Sequence, residues 1–67
     1  MRDEHLVSNA RQHIREAKTE PEEDRLKRLL DDYLTCDVLA NGPLEDRNLV
    51  WRPRLKRAEG QLRRALK

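Results

Sequence analysis

Few side chains in this 67-residue chain could supply a nucleophile or a base. Cys36 is the only cysteine and Ser8 lies in no motif, while the two histidines are His5 and His13. Cys36 falls on the apolar side of a helical pattern, where a small buried thiol is the commoner role. A chain of this length also has little room for the pocket of roughly 300 Å³ or more that small-molecule sites occupy. The sequence therefore predicts a protein with no catalytic residues and no cofactor.

Metal-ligating residues are equally sparse. His5 and His13 are eight residues apart, which is about 12 Å along a helix and too far for both to bind one ion. A single cysteine cannot form a two-cysteine or Cys/His cluster within the chain. We therefore expect no metal site, and a site shared between subunits through Cys36 is the less favoured alternative.

Basic residues are concentrated at the C-terminal end. Residues 52–67 carry seven cations against one acid, Glu59. Such a segment can neutralise phosphates, although a solvated face of an ordinary helix has the same composition. Gln61 is the only amide there that could recognise a base, and both aromatic residues, Tyr33 and Trp51, fall on apolar stripes. Binding of DNA or RNA is thus the alternative function, with candidate contacts at Arg52, Arg54, Lys56, Arg57, Arg63, Arg64 and Lys67.

One short segment resembles a known family. Residues 54–63 read RLKRAEGQLR. They resemble the first-helix signature of the copper-sensing repressors, which are all-helical oligomers that bind DNA. In that family a helix bearing the metal-ligating His and Cys follows the signature, and no such residues follow here. The resemblance covers ten residues, and we transfer neither a metal site nor a DNA site from it.

The helix that organises the chain is predicted at residues 20–40. Thr19 and Glu22 have the spacing of a capping box, and Pro21 is tolerated in a first helical turn. Gly42 is expected to end the helix in the left-handed conformation that glycine tolerates. A buried side is marked at 3.6-residue spacing by Leu26, Leu29, Leu30, Tyr33, Leu34 and Ala40.

Two further helices are predicted, at residues 3–18 and 53–67. Asp3 can be the N-cap of the first, and its short connection to the second favours a helical hairpin. Pro53 is acceptable only in a first turn, so the last helix should begin no earlier than about residue 50. Residues 43–52 are then an ordered connection or a short helix. The predicted fold is a single all-α domain of three helices.

Composition limits the size of the core. Only 36% of residues are hydrophobic and 42% are charged. Residues 1–42 carry seven basic and ten acidic side chains, whereas residues 43–67 carry eight and three. A core this small favours self-association, with a dimer as the expected state. No run of about 20 apolar residues and no signal peptide is recognisable, and the free cysteine favours the cytoplasm.

Apolar residues near the end of the second helix and after it exceed what three short helices can readily bury. The expected function is therefore that of a small non-catalytic regulatory or adaptor protein acting through helix-mediated contacts with a protein partner or with itself. Trp51 is the expected anchor. The candidate contacts are Leu34, Val38, Leu39, Leu44, Leu49, Val50 and Trp51.

Overall fold

The computed structural model describes residues 3–43 and 45–66. They form three helices: α1 (Glu4–Glu16), α2 (Glu20–Ala40) and α3 (Glu45–Ala65). The described residues contain no strand, so the prediction of a small all-α fold is confirmed. None of the three helices combines the length and the apolar character that a membrane span requires, as far as the described residues go.

The start of α1 is fixed by Asp3, as the sequence predicts. Its carboxylate accepts hydrogen bonds from the backbone N–H groups of His5 (3.0 Å) and Leu6 (3.2 Å). The helix ends at Glu16, two residues before the predicted end, because Ala17 already has extended backbone angles. An N-cap of this kind pairs backbone donors that have no partner inside the helix.

The ends of α2 have different chemistry. Thr19 Oγ1 accepts a hydrogen bond from the Glu22 N–H (3.4 Å), which confirms the predicted N-cap. The predicted left-handed glycine is wrong, because Gly42 has no positive φ. Asn41 closes the helix instead: its side-chain amide donates to the carbonyl (3.1 Å) and to the carboxylate (2.9 Å) of Asp37. These bonds pair a terminal carbonyl group without a left-handed residue.

The start of α3 differs most from the prediction. The helix begins at Glu45, eight residues before Pro53, and residues 45–52 belong to it rather than to a separate element. Pro53 lacks the N–H that would bond the Leu49 carbonyl, so one helical bond is lost. Leu49 and Pro53 are both exposed, so the missing bond lies on a face of the helix that is open to solvent. Trp51 and Leu55 pack against the core on either side of the proline, and this packing holds the chain helical.

The larger interface lies between α2 and α3, and α1 makes a smaller one with α2. Because a connection of four residues joins the two helices and they pack along one another, they are antiparallel. Asp32 and Cys36 of α2 line the same groove as Trp51 and Ala58 of α3. At the short connection between them, the Asn48 side chain donates to the Gly42 carbonyl (3.0 Å). The central core comprises Leu6, Val7, Ala10, Leu26, Leu30, Tyr33, Cys36, Ala58, Leu62 and Leu66.

Asp3 also joins α1 to both other helices. Its backbone N–H donates to the Tyr33 hydroxyl (3.0 Å), and its carboxylate accepts from Arg63 Nη2 (2.8 Å). Tyr33 is almost completely buried, and this bond pairs its polar end. The position of α1 is thus set by apolar packing and by two polar contacts at its first turn.

Candidate functional site

The residues with catalytic or metal-binding chemistry do not come together. Cys36 is buried, as the sequence predicts, and its thiol lies 4.0 Å from Asp32 Oδ1. Burial, with the Asp32 charge as a second cause, raises the pKa of this thiol. His5 is exposed and His13 half-buried. No group of three His, Cys, Asp or Glu side chains in the described residues is arranged to hold a metal ion.

The most exposed large apolar side chains lie at one end of the molecule. We call residues 34–51, the last turns of α2 and the first turns of α3, the hairpin end. Here Val38 is 65% exposed, Leu49 71% and Val50 56%. Side chains with this much of their surface in water contribute little to the core. The hairpin end is therefore where the fold leaves large apolar side chains exposed, one on α2 and two on α3.

The other predicted contact residues of this region are less accessible. Leu34 and Leu39 are half-buried, and Leu34 packs against the core. Trp51 is also half-buried, with the Arg54 guanidinium 4.7 Å from its ring centroid. The expected anchor is thus partly covered by a cation–π contact with its own helix. Leu44 lies outside the described residues.

The cations of α3 fall into two groups. Two of them have partners: Arg63 pairs with Asp3 and Glu59, both at 2.8 Å, and Arg54 stacks on Trp51. The pKa of Arg63 is raised by its hydrogen bond to Glu59 and by the Asp3 carboxylate. The second group is exposed, and in the described part of the chain its members have no acidic partner: Arg52, Lys56, Arg57 and Arg64. Lys67 lies outside the described residues.

Three of these cations surround a depression on the outer face of α3. Lys56, Arg57 and Arg64, together with Gln61, border Gly60. A Cβ atom built on Gly60 would have no other atom within 4 Å. We call this site the Gly60 notch. The sequence prediction named its cations but did not identify the notch, although residues 56, 60 and 64 follow one another at four-residue spacing along one face of a helix.

The chain was also compared with known proteins. No protein-family model matches it, and neither the curated proteins nor the solved structures give a significant match.

Proposed function

We propose that this is a small non-catalytic regulatory or adaptor protein whose hairpin end binds an amphipathic helix, supplied by a partner protein or by a second copy of the chain. The observation that supports this proposal is the exposure of Val38, Leu49 and Val50 at that end, between 56% and 71%. When a partner covers aliphatic side chains that a fold leaves in water, the loss of exposed apolar surface stabilises the complex.

The size of that gain limits the kind of contact. Complete burial of a Val or Leu side chain contributes about 1.5–3 kcal/mol, so covering these three gives on the order of 5 kcal/mol before association costs. Association itself costs several kcal/mol, which leaves a weak contact unless neighbouring residues contribute. Leu34, Leu39 and Trp51 are half-buried beside the exposed three and can add area. We therefore expect a reversible interaction of micromolar or weaker affinity.

A helix is the partner element that suits this surface. Two antiparallel helices leave grooves between them, and an amphipathic helix binds such a groove with apolar residues at positions i, i+3, i+4 and i+7. A partner helix would pack against the end of the α2–α3 pair in the same way that α1 packs against α2. A second copy can supply its own α2 or α3 in this role.

The test combines sedimentation with site-specific crosslinking. Sedimentation velocity from 10 to 300 µM compares the wild type with a Leu49→Gln/Val50→Gln variant, and Ser8→Gln/Asn9→Gln on the exposed side of α1 is the matched control. A photo-reactive residue at position 49, or at position 8 as the control, then reports partners in an extract of the host. We expect the wild type to associate and the Leu49→Gln/Val50→Gln variant not to, or a partner to crosslink to position 49 and not to position 8. A wild type that stays monomeric and gives the same crosslinks from both positions would refute the proposal.

Nucleic-acid association is the second candidate function. The observation that favours it is the group of exposed, unpaired cations on the outer face of α3. Phosphates bind such groups by charge neutralisation, and the affinity depends steeply on salt. The cations around Gly60 lie at least seven residues beyond Leu49 along α3, so the two functions rely on different residues of the same helix.

A further inference from the structure

We infer that the Gly60 notch is a binding site for the phosphate backbone of duplex DNA. The inference rests on the second candidate function and assigns it to one face of one helix. Lys56, Arg57 and Arg64 are exposed around the notch, with Gln61 beside them. Arg guanidinium groups form paired hydrogen bonds with phosphate oxygens, which makes two arginines and a lysine a suitable set for this ligand.

The cations at the notch have no acidic partner among residues 3–43 and 45–66. The residues three and four positions from Arg57 are Pro53, Arg54, Gly60 and Gln61, and none of them is acidic. Arg64 likewise has no acid three or four residues away. Elsewhere the chain does pair its cations at this spacing, as Lys27 does with Glu23 at 2.7 Å.

Glu59, the acid nearest to the notch in the sequence, is engaged by another residue of the helix. Glu59 accepts two hydrogen bonds from Arg63, at 2.8 and 3.0 Å, and Arg63 also binds Asp3 of α1. The acidic and basic side chains of this part of α3 are thus sorted: Glu59 binds Arg63, which also makes the contact with Asp3, and the unpaired cations remain on the outer face. An external anion is the partner that this arrangement lacks.

The dimensions of the site suit a phosphate backbone. Lys56 and Arg64 are eight residues apart, or about 12 Å along the helix axis. One DNA strand carries a phosphate for about every 3.4 Å of duplex axis and winds around that axis, so a helix face of this length can reach more than one phosphate. Because Gly60 has no side chain, the strand can approach the helix more closely than any other residue would allow.

The same residues favour backbone contact with a duplex over stacking on single strands. Binding of single strands relies on aromatic platforms, but Tyr33 is buried and Trp51 is half-buried beneath Arg54. Gln61 is the only amide at the notch that could reach a base edge. The expected binding is therefore independent of sequence.

The first test is fluorescence anisotropy with a labelled 20-base-pair duplex in 25–200 mM KCl. Three phosphate contacts predict a slope of log K against log[KCl] of about −2.7. Arg57→Gln/Arg64→Gln should leave one contact and a slope of about −0.9, with binding at least tenfold weaker in 50 mM salt. The matched control is Arg11→Gln/Arg15→Gln, which removes the same charge from exposed positions on α1 and should change affinity by less than about threefold.

A second variant separates the site from net charge. Gly60→Gln fills the notch, keeps the charge and adds a better helix former, so its thermal stability should rise while DNA binding weakens. Equal losses in the two double variants would overturn the site but leave nucleic-acid association standing. Absence of any binding in 25 mM salt would overturn both. Polyglutamate competing as well as unlabelled DNA would show that the notch binds acidic chains generally, which also overturns the inference.

Discussion

The two glycines of this chain should respond in opposite directions to substitution by alanine. Gly60 lies inside α3, and a Cβ atom there would meet nothing within 4 Å. Gly60→Ala should therefore gain the difference in helix propensity, about 0.8–1.0 kcal/mol. For a domain of 60–100 residues this corresponds to a rise in Tm of about 4–8 °C. Gly42 follows the end of α2, and a Cβ there would lie 2.8 Å from the Val38 carbonyl oxygen.

That contact is shorter than any that backbone and Cβ atoms normally make, so the last turn of α2 would have to move. Overpacking of this kind costs about 1–3 kcal/mol, and we expect Gly42→Ala to lower the Tm accordingly. Urea unfolding followed by circular dichroism at 222 nm gives both free energies of unfolding on one scale. If the two variants shift in the same direction, or if Gly60→Ala is neutral, then the local reasoning about α3 or about the α2–α3 connection is incorrect.

Three further predictions concern single positions. Pro53→Ala should raise the free energy of unfolding in urea by about 2 kcal/mol, because it restores the hydrogen bond to the Leu49 carbonyl. The gain is smaller than the full helix-propensity difference because proline also restricts the unfolded chain. An unchanged urea midpoint would show that Pro53 does not destabilise α3. Hydrogen bonds from the Leu6 amide and from Arg63 lower the pKa of the Asp3 carboxyl. A carboxyl whose pKa is lower in the folded state stabilises the fold above about pH 4, and this stabilisation is lost as the pH falls through that lowered pKa. Asp3→Asn should therefore have a lower Tm than the wild type at pH 7. Its Tm should also fall less than that of the wild type between about pH 4 and 2. A wild type and an Asp3→Asn variant with parallel Tm curves would contradict this. Cys36 is 3% exposed and the pKa of its thiol is raised, so a thiol-specific disulfide reagent at pH 8 should label it slowly in the native state and completely in urea; equal labelling rates would refute its burial.

Local signals in the sequence predicted the two N-caps well, but they predicted the closure of α2 at Gly42 and the effect of Pro53 poorly. Asp3 and Thr19 act through side-chain bonds to amides two or three residues away, and such bonds depend on short-range geometry that sequence displays. Pro53 also has a strong local preference, for a helix start, but the contacts of Trp51 and Leu55 with distant parts of the core outweigh it. Tertiary packing of this kind is not visible in the spacing of residues along one segment.

The same distinction applies to the candidate surfaces. The sequence indicated which side chains are basic, but it did not indicate that Glu59 and Asp3 bind Arg63 and leave Arg57 and Arg64 unpaired. That sorting depends on where α1 lies against α3. For the hairpin end, the prediction identified the region but overestimated how freely Trp51 is presented, because the contact with Arg54 requires the helix to continue through Pro53.

The position of Asp3 makes the fold sensitive to trimming at its N-terminus. This one residue caps α1, donates its amide to α2 and binds the guanidinium of α3. A proteolytic cut that removed Asp3 would release these three contacts together. Chain ends usually tolerate shortening because little depends on them. Loss of Asp3 should therefore weaken the attachment of α1 to both other helices.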